Sequence, residues 1–270
     1  MRKQAIPFLL AGTLALTLIT APAGAASQAS SATKKTTAPG HHTSTHHTTP
    51  AEKTTGSLLK PESLKLQAPA VFDAKFVTTK GDFVIQVTRA WAPSGADRFY
   101  NLVKYHFFDG AAFFRVVPGF VVQFGMSARP EVQRVWEHAM IQDDPVTQNN
   151  AVGTVTFATS GPNSRTTQVF INLRDNSGSL DNQGFSPFGK ITSGMQVVEA
   201  LYSGYGDGPP YGSGPEQGRI ASEGKAYLEK SFPKLDTIKV AEIVPPAPAV
   251  KHAPAATTEK KPPASAGSRH

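Results

Sequence analysis

Residues 113–123 read Phe-Phe-Arg-Val-Val-Pro-Gly-Phe-Val-Val-Gln, and this run constrains the fold more than any other stretch of the chain. Aromatic and β-branched residues on both sides of Pro118-Gly119 predict two adjoining strands, 112–117 and 120–124. Strands this apolar should be largely buried. Yet Arg115 and Gln123 sit inside them. A guanidinium there is costly unless its head finds partners or reaches a cleft. The plainer alternative is a snorkelling arginine and an edge glutamine, so the rest of the chain must decide.

Much of the chain takes no part in that decision. Of 270 residues, 1–25 read as a secretory signal, with Arg2 and Lys3, an apolar stretch over 6–19, and Ala23-Gly24-Ala25 before the cut. A retained N-terminal anchor is the alternative. Residues 26–57 are an Ala/Ser/Thr/Lys/Pro/His linker, and 246–270 a Pro/Ala/Lys-rich tail; neither has the apolar surface to offset the entropy of ordering. His41-His42 and His46-His47 could hold a metal weakly, but a polar His-rich linker explains them as well. There is no cysteine, which excludes disulfides and thiol chemistry. An exported protein without cysteine fits a bacterial envelope, periplasmic or secreted, better than a small disulfide-stapled domain.

One domain remains, 58–245. Nine basic residues (Arg2, Lys3, Lys34, Lys35, Lys53, Lys251, Lys260, Lys261, Arg269) and two acidic ones (Glu52, Glu259) lie outside it. Of the chain's 27 basic and 20 acidic residues, that leaves 18 of each inside. The domain is therefore neutral. The net +7 belongs to the arms, which suit weak contact with an anionic envelope and give no support to nucleic-acid binding.

Inside the domain, strands are expected at 71–77 and 83–88 around a turn at Lys80-Gly81-Asp82, then at 152–158, 169–173, 187–191 and 237–244. Ala96, Phe99, Val103 and Phe107 recur at helical spacing and predict a helix over 93–108, stopped by Asp109-Gly110. A second helix is expected over 194–202, with a loop after it through the Gly/Pro-rich 205–218. Many short strands with two helices point to an all-β fold, a closed antiparallel barrel with helical caps. The domain shows no phosphate-loop glycine motif, no metal-spaced His/Asp set and no serine elbow.

The run 113–123 resembles the signature of the cyclophilin-type peptidyl-prolyl cis-trans isomerases. Phe157-Ala158, Gly161-Pro162-Asn163-Ser164 and Gln168-Val169-Phe170-Ile171 are similar to the second signature block. Phe188-Gly189-Lys190-Ile191 and Gly194-Met195 with Val197-Val198 are similar to the third, all in family order over about 70–244. The resemblance implies a closed eight-stranded antiparallel β-barrel capped by two α-helices, with an active groove on its outer face. It implies rotation about the bond preceding proline, without cofactor or metal, on proline-containing polypeptides.

It also implies roles. Arg115 and Gln123 would be catalytic, with Phe120 beside them as an aromatic floor. Val121, Phe170 and Phe188 would form the proline pocket, bounded by Phe185. Ala158, Thr159 and Gln168 would hold the residue before proline. Several positions depart from the common pattern: Val121 for Met, Thr159 for Asn, Leu180 near the place of a tryptophan, and Phe185 near that of a histidine. An isomerase assisting exported proteins is the leading reading, and nothing demands more than a monomer. A non-catalytic Pro-peptide-binding or chaperone module is the second, and a barrel carried passively by attachment arms the third.

Overall fold

The computed structural model describes residues 57–244; the expected signal, the linker up to residue 56 and the tail lie outside the described residues. Eight strands form one antiparallel sheet: β1 Val71–Thr78, β2 Asp82–Thr88, β3 Arg115–Val117, β4 Val121–Phe124, β5 Thr154–Phe157, β6 Val169–Asn172, β7 Pro187–Ser193 and β8 Ile238–Val244. The order across the sheet is β3-β4-β6-β5-β7-β2-β1-β8. The sheet curls around an apolar core, with β3 and β8 as its outer strands. Ahead of β3 a single bridge pairs Ala112 with Thr237, flanked by Phe113 N–H donating to Asp236 O and Ile238 N–H to Ala111 O. The expected strand over 112–117 is thus regular only from Arg115.

Alternation explains why these segments are strands. In β1, Phe72, Ala74 and Phe76 are buried, and in β2 Phe83, Ile85 and Val87, each on one face at period two. Phe76 and Phe83 stack at 5.0 Å in the interior, and Phe108, Phe113 and Phe124 close around them. Burying an aromatic ring of this size typically contributes about 1.5–3 kcal/mol.

Helix α1, Pro93–Lys104, packs its Phe99, Leu102 and Val103 face onto this core. It stops four residues before the expected end. His106 adopts φ +57°, His106 N–H bonds to Val103 O, and Phe107 N–H reaches back to Leu102 O at 2.9 Å. That is a Schellman stop, usually built on glycine, so the sequence offered no signal for it at a histidine. Asp144, on a distant loop, accepts from the Ser94 and Gly95 N–H groups and caps the start of α1.

Short helices follow as α2 Pro130–Trp136, α3 Ser177–Leu180 and α4 Met195–Glu199, the last in place of the longer helix expected over 194–202. The larger correction is α5, Gln217–Ser231, kinked at Gly224. The expectation of two helices omitted it, because Gly218, Gly224 and scattered charges hide its apolar stripe. Ile220, Tyr227 and Leu228 bury that stripe against Ala112, Phe114 and Met126, in a second small core beside the main one. This positions the Gly/Pro-rich segment before α5 alongside β3.

Candidate active site

The β3–β4 hairpin sets the register of the site. Phe120 N–H donates to Val117 O at 3.0 Å across Pro118-Gly119, and Gly119 takes φ +68°, a conformation that favours glycine at the third position of a type II turn. Arg115 therefore pairs with Gln123, Gln123 with Phe170, and Phe170 with Thr156. The adjacent row is Val116, Val122, Ile171 and Val155. Successive side chains face opposite sides of a strand, and the second row is the one in the main core. Arg115 and Gln123 thus belong to the outward row, which is why a β-prone run can carry them.

These two side chains start a directed chain of hydrogen bonds. Arg115 Nη1 donates to Gln123 Oε1 at 3.1 Å, Gln123 Nε2 to Gln168 Oε1 at 2.8 Å, and Gln168 Nε2 to Gln217 Oε1 at 3.1 Å. Arginine only donates, so each amide must turn its oxygen toward Arg115 and its nitrogen away from it. On its other edge Arg115 donates from Nε and Nη2 to the two carboxylate oxygens of Asp207, both at 2.7 Å. Such a bidentate fork is among the stronger charged contacts and offsets the cost of placing a guanidinium only 14% exposed. The Phe120 ring lies under two cations, Arg115 Cζ at 5.6 Å and Arg174 Cζ at 5.9 Å.

The residues expected from sequence fall into two layers. Arg115, Phe120, Gln123, Ala158, Thr159 and Gln168 line an open groove of about 1290 Å³. Beneath it Val121, Phe170 and Phe185 form an apolar cluster with Ala158 and Leu180, against which Phe120 packs. Thr159 Oγ bonds within its own loop, to Ser164 Oγ at 2.8 Å and to Gly161 O. That loop is anchored from behind. Arg165 pairs with Asp144 at 3.0 Å, and Arg98 donates to Thr166 O at 3.0 Å. Burial first, then the nearby Arg165 charge, brings the Arg98 guanidinium down to about 10.

Phe188 corrects one expectation. It does not join the pocket: it is fully buried, its ring 4.9 Å from Phe99 and 5.1 Å from Phe157 in the main core. A register shift opposite Val155 and Thr156 places Phe188 at an irregular step of β7, and its ring enters the interior. Leu180 fills the pocket cluster instead. A buried polar web holds its loop: Asn150 Nδ2 donates to Asp181 Oδ1 and to Phe185 O at 2.8 Å, while Asn176 Nδ2 donates to Asn172 Oδ1 at 2.8 Å and Phe120 O at 3.1 Å.

Sequence reasoning missed Asp207 and Gln217, and it named Leu180 only as standing near a tryptophan's place, not as part of the apolar cluster. Asp207 is 92 residues from Arg115, and Gln217 is 49 from Gln168. The only available signal for Asp207 was that it is one of two acids, with Glu216, in the Gly/Pro-rich 205–218.

An outward arginine and glutamine thus lie in an open groove beside a buried apolar cluster, on a curled eight-stranded antiparallel sheet. The chain matches the family described as cyclophilin type peptidyl-prolyl cis-trans isomerase/CLD over residues 74–220, and it belongs to that family. A peptidyl-prolyl cis-trans isomerase of Acinetobacter baylyi is 33% identical over 128 residues, covering 46% of this chain and 68% of that protein. One of Streptomyces antibioticus is 32% identical over 132 residues, covering 46% and 79%. A solved cyclophilin type peptidyl-prolyl cis-trans isomerase of Cryptosporidium parvum aligns with 65% of this chain and 98% of its own, at 17% identity and a TM-score of 0.48.

Proposed function

We propose that this protein accelerates cis–trans rotation of X–Pro bonds in polypeptides and assists folding of exported proteins. The observation that carries the reading is the Arg115–Gln123 pair beside Phe120 in an open groove, with a buried apolar cluster packed against that ring. Rotation about a peptide bond must overcome a barrier of about 18–20 kcal/mol set by amide resonance. As the bond twists, resonance is lost and the proline nitrogen gains a lone pair that accepts a hydrogen bond. A donor fixed where that lone pair develops stabilises the twisted state more than the planar one. Arg115 is that donor. Its three bonds to Asp207 and Gln123 leave two of its five N–H groups for substrate. Phe120, Val121, Phe170, Leu180 and Phe185 take the proline ring and exclude water. Ala158, Thr159 and Gln168 flank the residue before it. No bond is made or broken, so the residues need only bind, orient and donate.

Export rests on residues 1–25, and the barrel on closure at the Ala112–Thr237 bridge. The isomerase then acts as a monomer in the periplasm or outside the cell. The test is cis-to-trans relaxation of an X–Pro peptide with the full chain. A rate equal to the uncatalysed one, with peptide still bound, would leave the binding-module reading instead. Fractionation of a bacterium expressing the chain tests export: a cytoplasmic, uncut protein would sink that part.

A further inference from the structure

We infer that Asp207 is a positioning residue for Arg115, and that the segment between β7 and β8 completes the groove by holding both ends of its polar chain. The inference rests on the isomerase reading above and extends its machinery beyond the strands. Three observations carry it.

The first is which edge of Arg115 is used. Asp207 takes the Nε/Nη2 edge and Gln123 takes Nη1, so the guanidinium plane is fixed from two sides while N–H groups remain for a ligand. The second is that the chain from Arg115 through Gln123 and Gln168 ends on Gln217, in the first turn of α5. The segment that supplies Asp207 at one end therefore supplies Gln217 at the other. The third is that the loop is built around Asp207. Gly208 N–H donates to Asp207 Oδ1 and Gly214 N–H to Asp207 O, both at 2.8 Å. A Cβ at Gly212 or at Gly214 would run into that same Asp207 carbonyl oxygen. Tyr205 and Tyr227, both edge-on to Phe232, tie the loop to α5. A carboxylate held this firmly acts as a brace for the fork rather than as a displaceable cover.

The test uses the full chain and Asp207→Ala, Asp207→Asn and Asp207→Glu, with X–Pro peptide relaxation at varied peptide concentration. Loosening the arginine should lower kcat on the order of 10- to 100-fold. KM should stay within about twofold, since peptide contacts are untouched. Asp207→Glu should recover part of the loss. Thermal melts separate this from a folding defect, which would lower the folded fraction, and with it the apparent kcat at unchanged KM, in step with a fall in Tm. A second readout does not depend on turnover. The Arg115 Nε–H resonance should be present in the wild type, persist with saturating peptide, and vanish in Asp207→Asn. Turnover equal to or faster than wild type in Asp207→Ala overturns the inference. So does loss of the Nε–H resonance on adding peptide, because the carboxylate would then be a competitor that substrate displaces. A wild-type rate equal to the uncatalysed one overturns the isomerase reading and this inference with it, whereas an active wild type with unaffected variants overturns this inference alone.

Discussion

Arg89–Asp97 and Arg115–Asp207 are forks of nearly the same geometry in different places. In the first, Nε and Nη2 reach the carboxylate at 2.7 and 2.8 Å; in the second, both distances are 2.7 Å. The partners are 8 residues apart in one and 92 in the other. Asp97 also accepts Ala68 N–H at 2.8 Å, so the first fork ties the entry of β1 and the end of β2 to α1. The second faces a groove and shares its guanidinium with Gln123 and with Phe120. A bidentate fork therefore says nothing about function by itself. What differs is the setting: Arg115 and Asp207 line the open groove, whereas Arg89 and Asp97 do not.

Arginine-to-lysine exchange should separate the two most sharply. Lysine keeps the charge but loses the planar fork. Arg115→Lys should lower kcat/KM roughly 100-fold or more, the scale seen when one donor to a transition state is removed. Arg89→Lys should leave kcat/KM unchanged and lower unfolding free energy by no more than about 1 kcal/mol. Comparable losses of kcat/KM in both would mean that Arg115, like Arg89, acts through stability.

A second contrast lies between the aromatic rings on the two faces of the sheet. Phe188→Ala should cost about 3–5 kcal/mol of stability, because it opens a cavity among Phe99 and Phe157. The fraction that still folds should isomerise peptide at an unchanged KM. Phe185→Ala removes a ring that meets Phe170 edge-on at 5.7 Å beneath the groove. It should raise KM several-fold, roughly in line with 1–2 kcal/mol of lost apolar contact, and destabilise less. Urea titration and peptide kinetics on both variants check this. A KM change from Phe188→Ala as large as that from Phe185→Ala would restore Phe188 to the pocket.

The two walls of the groove differ in how far the sequence disclosed them. Arg115, Phe120 and Gln123 lie in one hairpin, and period-two alternation plus a Pro-Gly turn is a local signal. So is the run that carries Ala158, Thr159, Gln168 and Phe170, by resemblance of motif. Phe188 was misplaced for a local reason too: a register shift in β7 is invisible to an alternation count. The other wall had no local signal. Asp207 meets Arg115 only because α5 buries Ile220, Tyr227 and Leu228 on a second core, and that packing depends on residues from 112 to 228. Helix α5 itself was hidden by its glycines, and α1 ended on His106 where a glycine would have announced the stop. Strand chemistry was legible wherever partners were near in sequence; the long-range brace was not.

The smallest expected effect concerns the structural fork, and its sign depends on pH. Burial would push the Asp97 carboxyl up. The Arg89 hydrogen bonds, the Ala68 N–H and the Arg89 charge together outweigh that and hold it below its usual 3.8. A carboxyl whose folded value is depressed contributes stability above the unfolded value and loses it as pH falls through the folded one. Asp97→Asn should therefore be less stable than wild type at pH 7, by about 1 kcal/mol for a partly exposed pair. The gap should shrink as pH drops below 3.8, where the wild-type carboxylate takes up its proton and the two curves converge. Asp109 should behave in the opposite sense: burial raises its carboxyl against the Ala241 N–H and His106, so its contribution fades as pH climbs above 3.8. Urea unfolding of wild type and Asp97→Asn from pH 7 down through 3 measures the gap directly. A gap that stays constant over that range would show that Asp97 contributes packing and shape rather than charge. The likeness between the two forks would then be one of geometry alone.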